Sequence, residues 1–98
     1  MKAVILRAIP HGEANAINCR ELARITGTEP RVIKHVISKC RREGIIICSS
    51  LDTQCGGYFF PESLDELRTY IITEQQRIDT AQAALNPAIQ RLNEGKTV

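Results

Sequence analysis

The sequence predicts a mainly α-helical domain with one small β-hairpin, followed by a long C-terminal helix. Three observations carry this reading. Apolar residues recur at helical spacing through residues 19–42, with a glycine interrupting them at position 27. A β-branched run, Ile45-Ile46-Ile47-Cys48, is followed by a polar, glycine-rich interval and then by the aromatic run Tyr58-Phe59-Phe60. Beyond Ser63 the apolar residues return to helical spacing, with no breaker before Asn86-Pro87.

Taken in order, Ala3 to Ile9 is dense enough in apolar residues for a short buried helix, which Pro10 closes because proline disfavours helix at the residue before it. His11 to Asn15 reads as a loop, and Ala16-Ile17 as a brief strand able to pair with a later one. Asn18 and Glu21 form a capping-box pair that opens a second helix at Cys19. That helix runs to about Thr26, with Leu22, Ala23 and Ile25 expected inside and Gly27 supplying the turn.

Thr28 is expected to cap the third helix, which spans about Glu29 to Arg42 and has Pro30 in its first turn. Val32, Ile33, Val36, Ile37 and Cys40 share one side, leaving Arg31, Lys34, His35, Ser38, Lys39, Arg41 and Arg42 toward solvent. Gly44 ends this helix, and the expected hairpin pairs residues 45–48 with residues 58–60 around a loop closed by Pro61. Ser63 and Glu66 then make a second capping box, opening a helix expected to reach about Leu85, where Asn86-Pro87 ends or kinks it.

At 98 residues the chain holds one modest core, read here as a domain over 1–61 and a helical extension over 62–98. An apolar content of 43% and a charged content of 24% are those of a globular protein rather than a disordered one. No apolar run is long enough to cross a bilayer, and Arg7 interrupts the N-terminal one before it resembles a signal core, so a cytoplasmic setting is expected. The four cysteines, Cys19, Cys40, Cys48 and Cys55, lack the paired spacing of structural zinc sites, and His11 and His35 stand apart from them. Reduced thiols are expected, with no metal and no cofactor. A nucleophile motif, a phosphate-binding glycine loop and a paired carboxylate–histidine arrangement are all missing, which argues against an enzyme.

Charge is distributed unevenly. Residues 1–45 carry nine Lys/Arg against four Glu, and residues 46–98 carry four Lys/Arg against seven Asp/Glu. A basic half of this kind points to a polyanionic partner. The spacing of Ala23, Gly27 and Ile33 supports a helix-turn-helix: the alanine lets two helices approach, the glycine makes the turn, and the isoleucine packs the second helix on the first. With the hairpin as a wing, the element order is that of a winged helix-turn-helix, whose recognition helix enters the major groove of double-stranded DNA. Arg31, Lys34 and His35 are then the base-reading candidates. Lys39, Arg41 and Arg42 are placed for phosphate, and Thr28 and Ser38 complete the DNA-binding candidates. The wing holds Asp52 as its one charge, leaving Ser49, Ser50, Thr53 and Gln54 as its possible hydrogen-bond donors.

The C-terminal helix carries its own signal. Leu64, Ile71, Ile78, Leu85 and Leu92 recur every seven residues, with Leu67, Glu74, Ala81 and Ala88 as the companion row. This predicts a homodimer through Leu64, Leu67, Ile71, Ile78 and Leu85, with packing inside one chain as the alternative.

Residues 16–61, with Glu21-Leu22-Ala23, Gly27, Arg31-Val32-Ile33 and Gly57-Tyr58-Phe59-Phe60-Pro61, resemble the winged-helix domain of biotin-operon repressors. The string Arg42-Glu43-Gly44-Ile45-Ile46-Ile47-Cys48-Ser49-Ser50, followed by Gly56-Gly57-Tyr58 and a helix that starts acidic, is similar to small prophage-encoded winged-helix proteins of Gram-positive bacteria, nearly end to end. That resemblance implies a phage or prophage transcriptional regulator. Two other functions fit the same fold: an accessory DNA-binding protein in phage replication or recombination, and a module for protein–protein contacts.

Overall fold

The computed structural model describes residues 2–50 and 57–95. The order of elements is α1 (Lys2–Ala8), a 3-10 turn (Glu13–Asn15), β1 (Ile17–Asn18), α2 (Cys19–Thr26), α3 (Pro30–Arg42), β2 (Cys48–Ser50), β3 (Gly57–Phe59) and α4 (Leu64–Asn93). The fold is therefore mainly helical, with a small antiparallel sheet in the order β1-β3-β2.

α2 begins where the sequence places it: the Asn18 side chain accepts a hydrogen bond from the Glu21 amide at 2.8 Å. Glu21 does not return the bond, because its carboxylate is taken by Arg24 one turn on. Gly27 ends the helix at φ 68°, in the left-handed region, and its amide reaches back to the carbonyls of Ala23 and Arg24. Ala23 is buried where α2 and α3 meet, beside Leu22, Ile33 and Ile37. Ile25, expected inside, is 53% exposed. It stands about 200° round the helix from Ala23, on the far side from α3.

Thr28 does not cap α3. Glu29 is the capping position and makes no side-chain bond there, while the Thr28 hydroxyl pairs with that of Thr26 at 2.8 Å. Thr26 also donates to the Leu22 carbonyl, so the two threonines close the turn rather than start the helix. α1 packs onto α2 through Ile5 and Ile9, completing a core with Cys19, Cys40, Ile47 and Tyr58. Cys19, Cys40 and Cys48 are buried and form no disulfide, and burial pushes the Cys48 thiol up from its ordinary value. Cys55, and with it the expected wing residues Asp52, Thr53 and Gln54, lies outside the described residues.

The hairpin is shifted from its expected place. β2 starts at Cys48 rather than Ile45, because the Ile45 amide is still bonded to the Cys40 carbonyl as part of the α3 terminus. Ile45 and Ile47 instead descend into the core as irregular chain. The register pairs Cys48 with Phe59, Ser49 with Tyr58 and Ser50 with Gly57, so β3 runs over 57–59 rather than 58–60. β1 pairs on its other side, Ile17 with Tyr58 and Asn18 with Gly57. Gly57 is required at that crossing: a Cβ there would sit 2.8 Å from the Ala16 Cβ.

Phe60 leaves the sheet and is held by the N-terminal loop. Its amide donates to the Pro10 carbonyl at 2.8 Å, and its carbonyl accepts from the Gly12 amide at 2.8 Å. Ser63 caps α4, accepting from the Glu66 amide at 3.1 Å. Glu66 accepts from the amides of Glu62 and Glu13 at 2.9 and 3.0 Å, which ties α4 to the 3-10 turn and holds its carboxyl below the usual carboxylate range. α4 neither ends near Leu85 nor breaks at Pro87 but continues to Asn93, a helix of 30 residues.

Candidate nucleic-acid interface

α3 owes its position to one stripe. Ile33, Ile37 and Cys40 are buried against α2 and the sheet, and half-buried Val36 packs beside them. With that stripe inward, a rotation of ~100° per residue sends Arg31, His35, Ser38 and Arg42 to the opposite side of the helix. All four are exposed. Lys34 and Lys39 are exposed on the two flanks of the same face. The surface is thus one helix wide, polar throughout, and carries four cationic side chains plus His35 over the length of α3.

Few of these cations are neutralised. Arg31 faces Glu29 at 3.3 Å, and both side chains are largely exposed, so water screens the pair and leaves the guanidinium available. Of the other basic residues of this half, Lys2 pairs with Glu43 at 2.7 Å and Arg24 with Glu21, while Arg7 on α1 and Arg20 on α2 are exposed. In each pair the carboxyl is held below its usual range by the cation beside it. Four of the nine cations of residues 1–45 therefore share the outer face of α3.

Arg41 is not part of that face. Its Nε donates to the Ile47 carbonyl and a terminal nitrogen donates to the Ser49 hydroxyl, both at 2.8 Å. The guanidinium lies 6.0 Å from the Tyr58 ring centroid and 5.5 Å from that of Tyr70. Arg41 thus clamps the end of α3 to β2 and to α4, and it also engages Ser49, one of the expected wing donors. The charge pattern alone groups it with its basic neighbours. The helical rotation separates it, because it falls ~80° from Ile33, at the edge of the buried stripe.

Thr28 stands half-buried in the turn before α3, with its hydroxyl on Thr26, and its amide donates to the Ala23 carbonyl at 2.9 Å. The Cys19 thiol, donating to the Pro30 carbonyl at 3.4 Å, joins the starts of α2 and α3. This link was not legible from spacing, since a cysteine at a helix start is ordinarily read as filler. The five dimerisation candidates divide. Leu64, Ile71, Ile78 and Leu85 are exposed, whereas Leu67 is half-buried and lines a groove with Ile45, Ile46 and Ile47.

Among the described residues no group of three His, Cys, Asp or Glu side chains is arranged to hold a metal, and no helix is long and apolar enough to cross a membrane. Comparison with protein-family models, with curated proteins and with solved structures yields no match to this chain.

Proposed function

We propose that this chain is a winged helix-turn-helix protein that binds double-stranded DNA by laying α3 in the major groove, and that it acts as a transcriptional regulator of phage or prophage type. The observation that carries the reading is the outer face of α3: Arg31, Lys34, His35, Ser38, Lys39 and Arg42 stand exposed opposite the stripe that packs on α2. A single helix with α2 behind it and a hairpin beside it has the width a major groove admits. Arg31, near the N-terminal end of α3, has a planar fork suited to the N7 and O6 acceptors of guanine, while Lys39 and Arg42 suit phosphates. The phage setting rests on the sequence similarity of residues 42–50 and 56–58 to prophage winged-helix proteins.

Fluorescence anisotropy with a random-sequence duplex, titrated at several salt concentrations, tests this. The full chain is compared with an R31A/K34A/R42A variant, which leaves Arg41 in its structural place. Affinity should fall steeply with salt, and the variant should lose binding and flatten the slope by roughly 0.9 for each phosphate contact removed. Binding that is absent, or equal in the variant, would move the module to protein recognition.

A further inference from the structure

α4 leaves the rest of the molecule within a few turns. Leu67 and Tyr70 are half-buried and line a groove with Ile45, Ile46 and Ile47, Glu74 is still half-buried, and every residue from Gln75 to Asn93 is exposed. Along this helix Leu64, Ile71, Ile78, Leu85 and Leu92 form one stripe, each between 53% and 77% exposed. At ~1.5 Å per residue the stripe is about 42 Å long. Apolar surface of that extent on a soluble chain marks a contact with another macromolecule.

Three features identify the occupant. The first is the spacing of seven, which keeps a helix in step with a partner helix of the same repeat; a second copy of this chain offers that repeat by construction.

The second is the charge beside the central isoleucine. Arg77 and Asp79 lie ~100° to either side of Ile78, both exposed; Arg77 also pairs with Glu74 of its own helix at 2.9 Å, and Asp79 accepts from Gln75 at 3.0 Å. In a parallel pair, the Arg77 flank of each helix faces the Asp79 flank of the other, and opposite charges meet twice. An antiparallel pair centred on Ile78 sets like flank against like flank, Arg77 beside the partner's Arg77 and Asp79 beside the partner's Asp79. The charges therefore select the parallel arrangement.

The third feature is Ile72. It lies off the stripe, seven residues before Asp79 and on the same flank, and is 53% exposed. Tyr70 lies seven residues before Arg77, on the opposite flank, where it lines an apolar groove of about 360 Å³ with Ile45, Ile46, Ile47, Leu67 and Ile71. A parallel partner turns its Ile72 toward this groove at nearly the same height. Pro87 fits the same geometry. It falls ~200° round from Leu85, so its ring and the Ala83 carbonyl that it leaves without an amide partner are on the solvent side, away from the stripe.

We propose that two copies of this chain pair in parallel along α4, through Leu64, Ile71, Ile78, Leu85 and Leu92, with Ile72 of each copy covering the groove beside Tyr70 of the other. This surface is separate from the α3 face, so it stands or falls independently of DNA binding.

Sedimentation equilibrium of the full chain, alongside R77D, D79R and R77D/D79R with helicity checked by circular dichroism, tests the proposal. The wild type should be a dimer, each single reversal should weaken it roughly tenfold, and the double reversal should restore it. In addition, L85C should oxidise to a disulfide-linked dimer that the wild type does not form, since a parallel pair sets Leu85 against the partner's Leu85. A monomer at high micromolar concentration overturns the proposal. So does a dimer that neither single reversal weakens, which is the antiparallel signature, because like charge still faces like after either change.

Discussion

Arg41 shows what a single residue's charge does and does not reveal. In the sequence it is one of several cations on a basic helix, and its charge assigns it to the polyanion. In the fold it donates to Ile47 and Ser49 and lies over two tyrosine rings, so its work is to hold α3, β2 and α4 together. R41A should destabilise the fold by about 2 kcal/mol, the range for charge-assisted hydrogen bonds. R41K should recover less than half of that, because an ammonium cannot reproduce the fork that reaches both acceptors. Urea denaturation of the three proteins measures both effects. The rotation of ~100° per residue already separates Arg41 from Arg31 and Arg42. Thr28 is the opposite case: its identity suits a cap, and only the pairing with Thr26 shows that the turn claims its hydroxyl.

At the scale of elements, the starts of α2 and α4 are legible in the sequence, whereas the start of β2 and the end of α4 are not. Asn18 and Ser63 both cap the helices that their side chains predict, since a cap depends on residues within one turn of it. The strand β2 begins three residues late because the α3 terminus holds Ile45, a bond between elements that composition does not carry. Pro87 removes one hydrogen bond from α4, yet the helix continues on both sides of it. Glu66 joins two elements through two backbone donors, and this sets a pH dependence. Its carboxylate is favoured in the fold, so the folded protein resists protonation in the range where the unfolded chain takes up a proton. The stabilisation is therefore complete at neutral pH and is lost as pH falls below about 4.3, the ordinary glutamate value. Chemical denaturation of wild type and E66Q between pH 7 and pH 3 should show the wild type more stable at neutral pH and the difference shrinking with acid. A constant difference would remove Glu66 from that role.

The whole molecule is elongated. Its radius of gyration is 16.7 Å, against the ~13 Å of a compact chain of this length, and its extents are 50 × 31 × 26 Å. The excess belongs to α4, whose second half is exposed throughout, and α4 as a whole holds four of the seven acidic residues of the chain's second half. Charge asymmetry and the seven-residue repeat make this division legible in the sequence: a basic helix on a compact head, and a separate apolar stripe on an extension. What the sequence could not convey is that the stripe stays uncovered by its own chain, which depends on how α4 leaves the domain. Chemical-shift mapping tests most directly whether the outer face of α3 meets DNA. On titration of the labelled full chain with a short duplex, the amides of residues 28–42 should show the largest perturbations, while those of residues 75–93 should be nearly unchanged. Perturbations confined to α4, or none at all at concentrations that saturate a basic DNA-binding surface, would contradict DNA contact by α3.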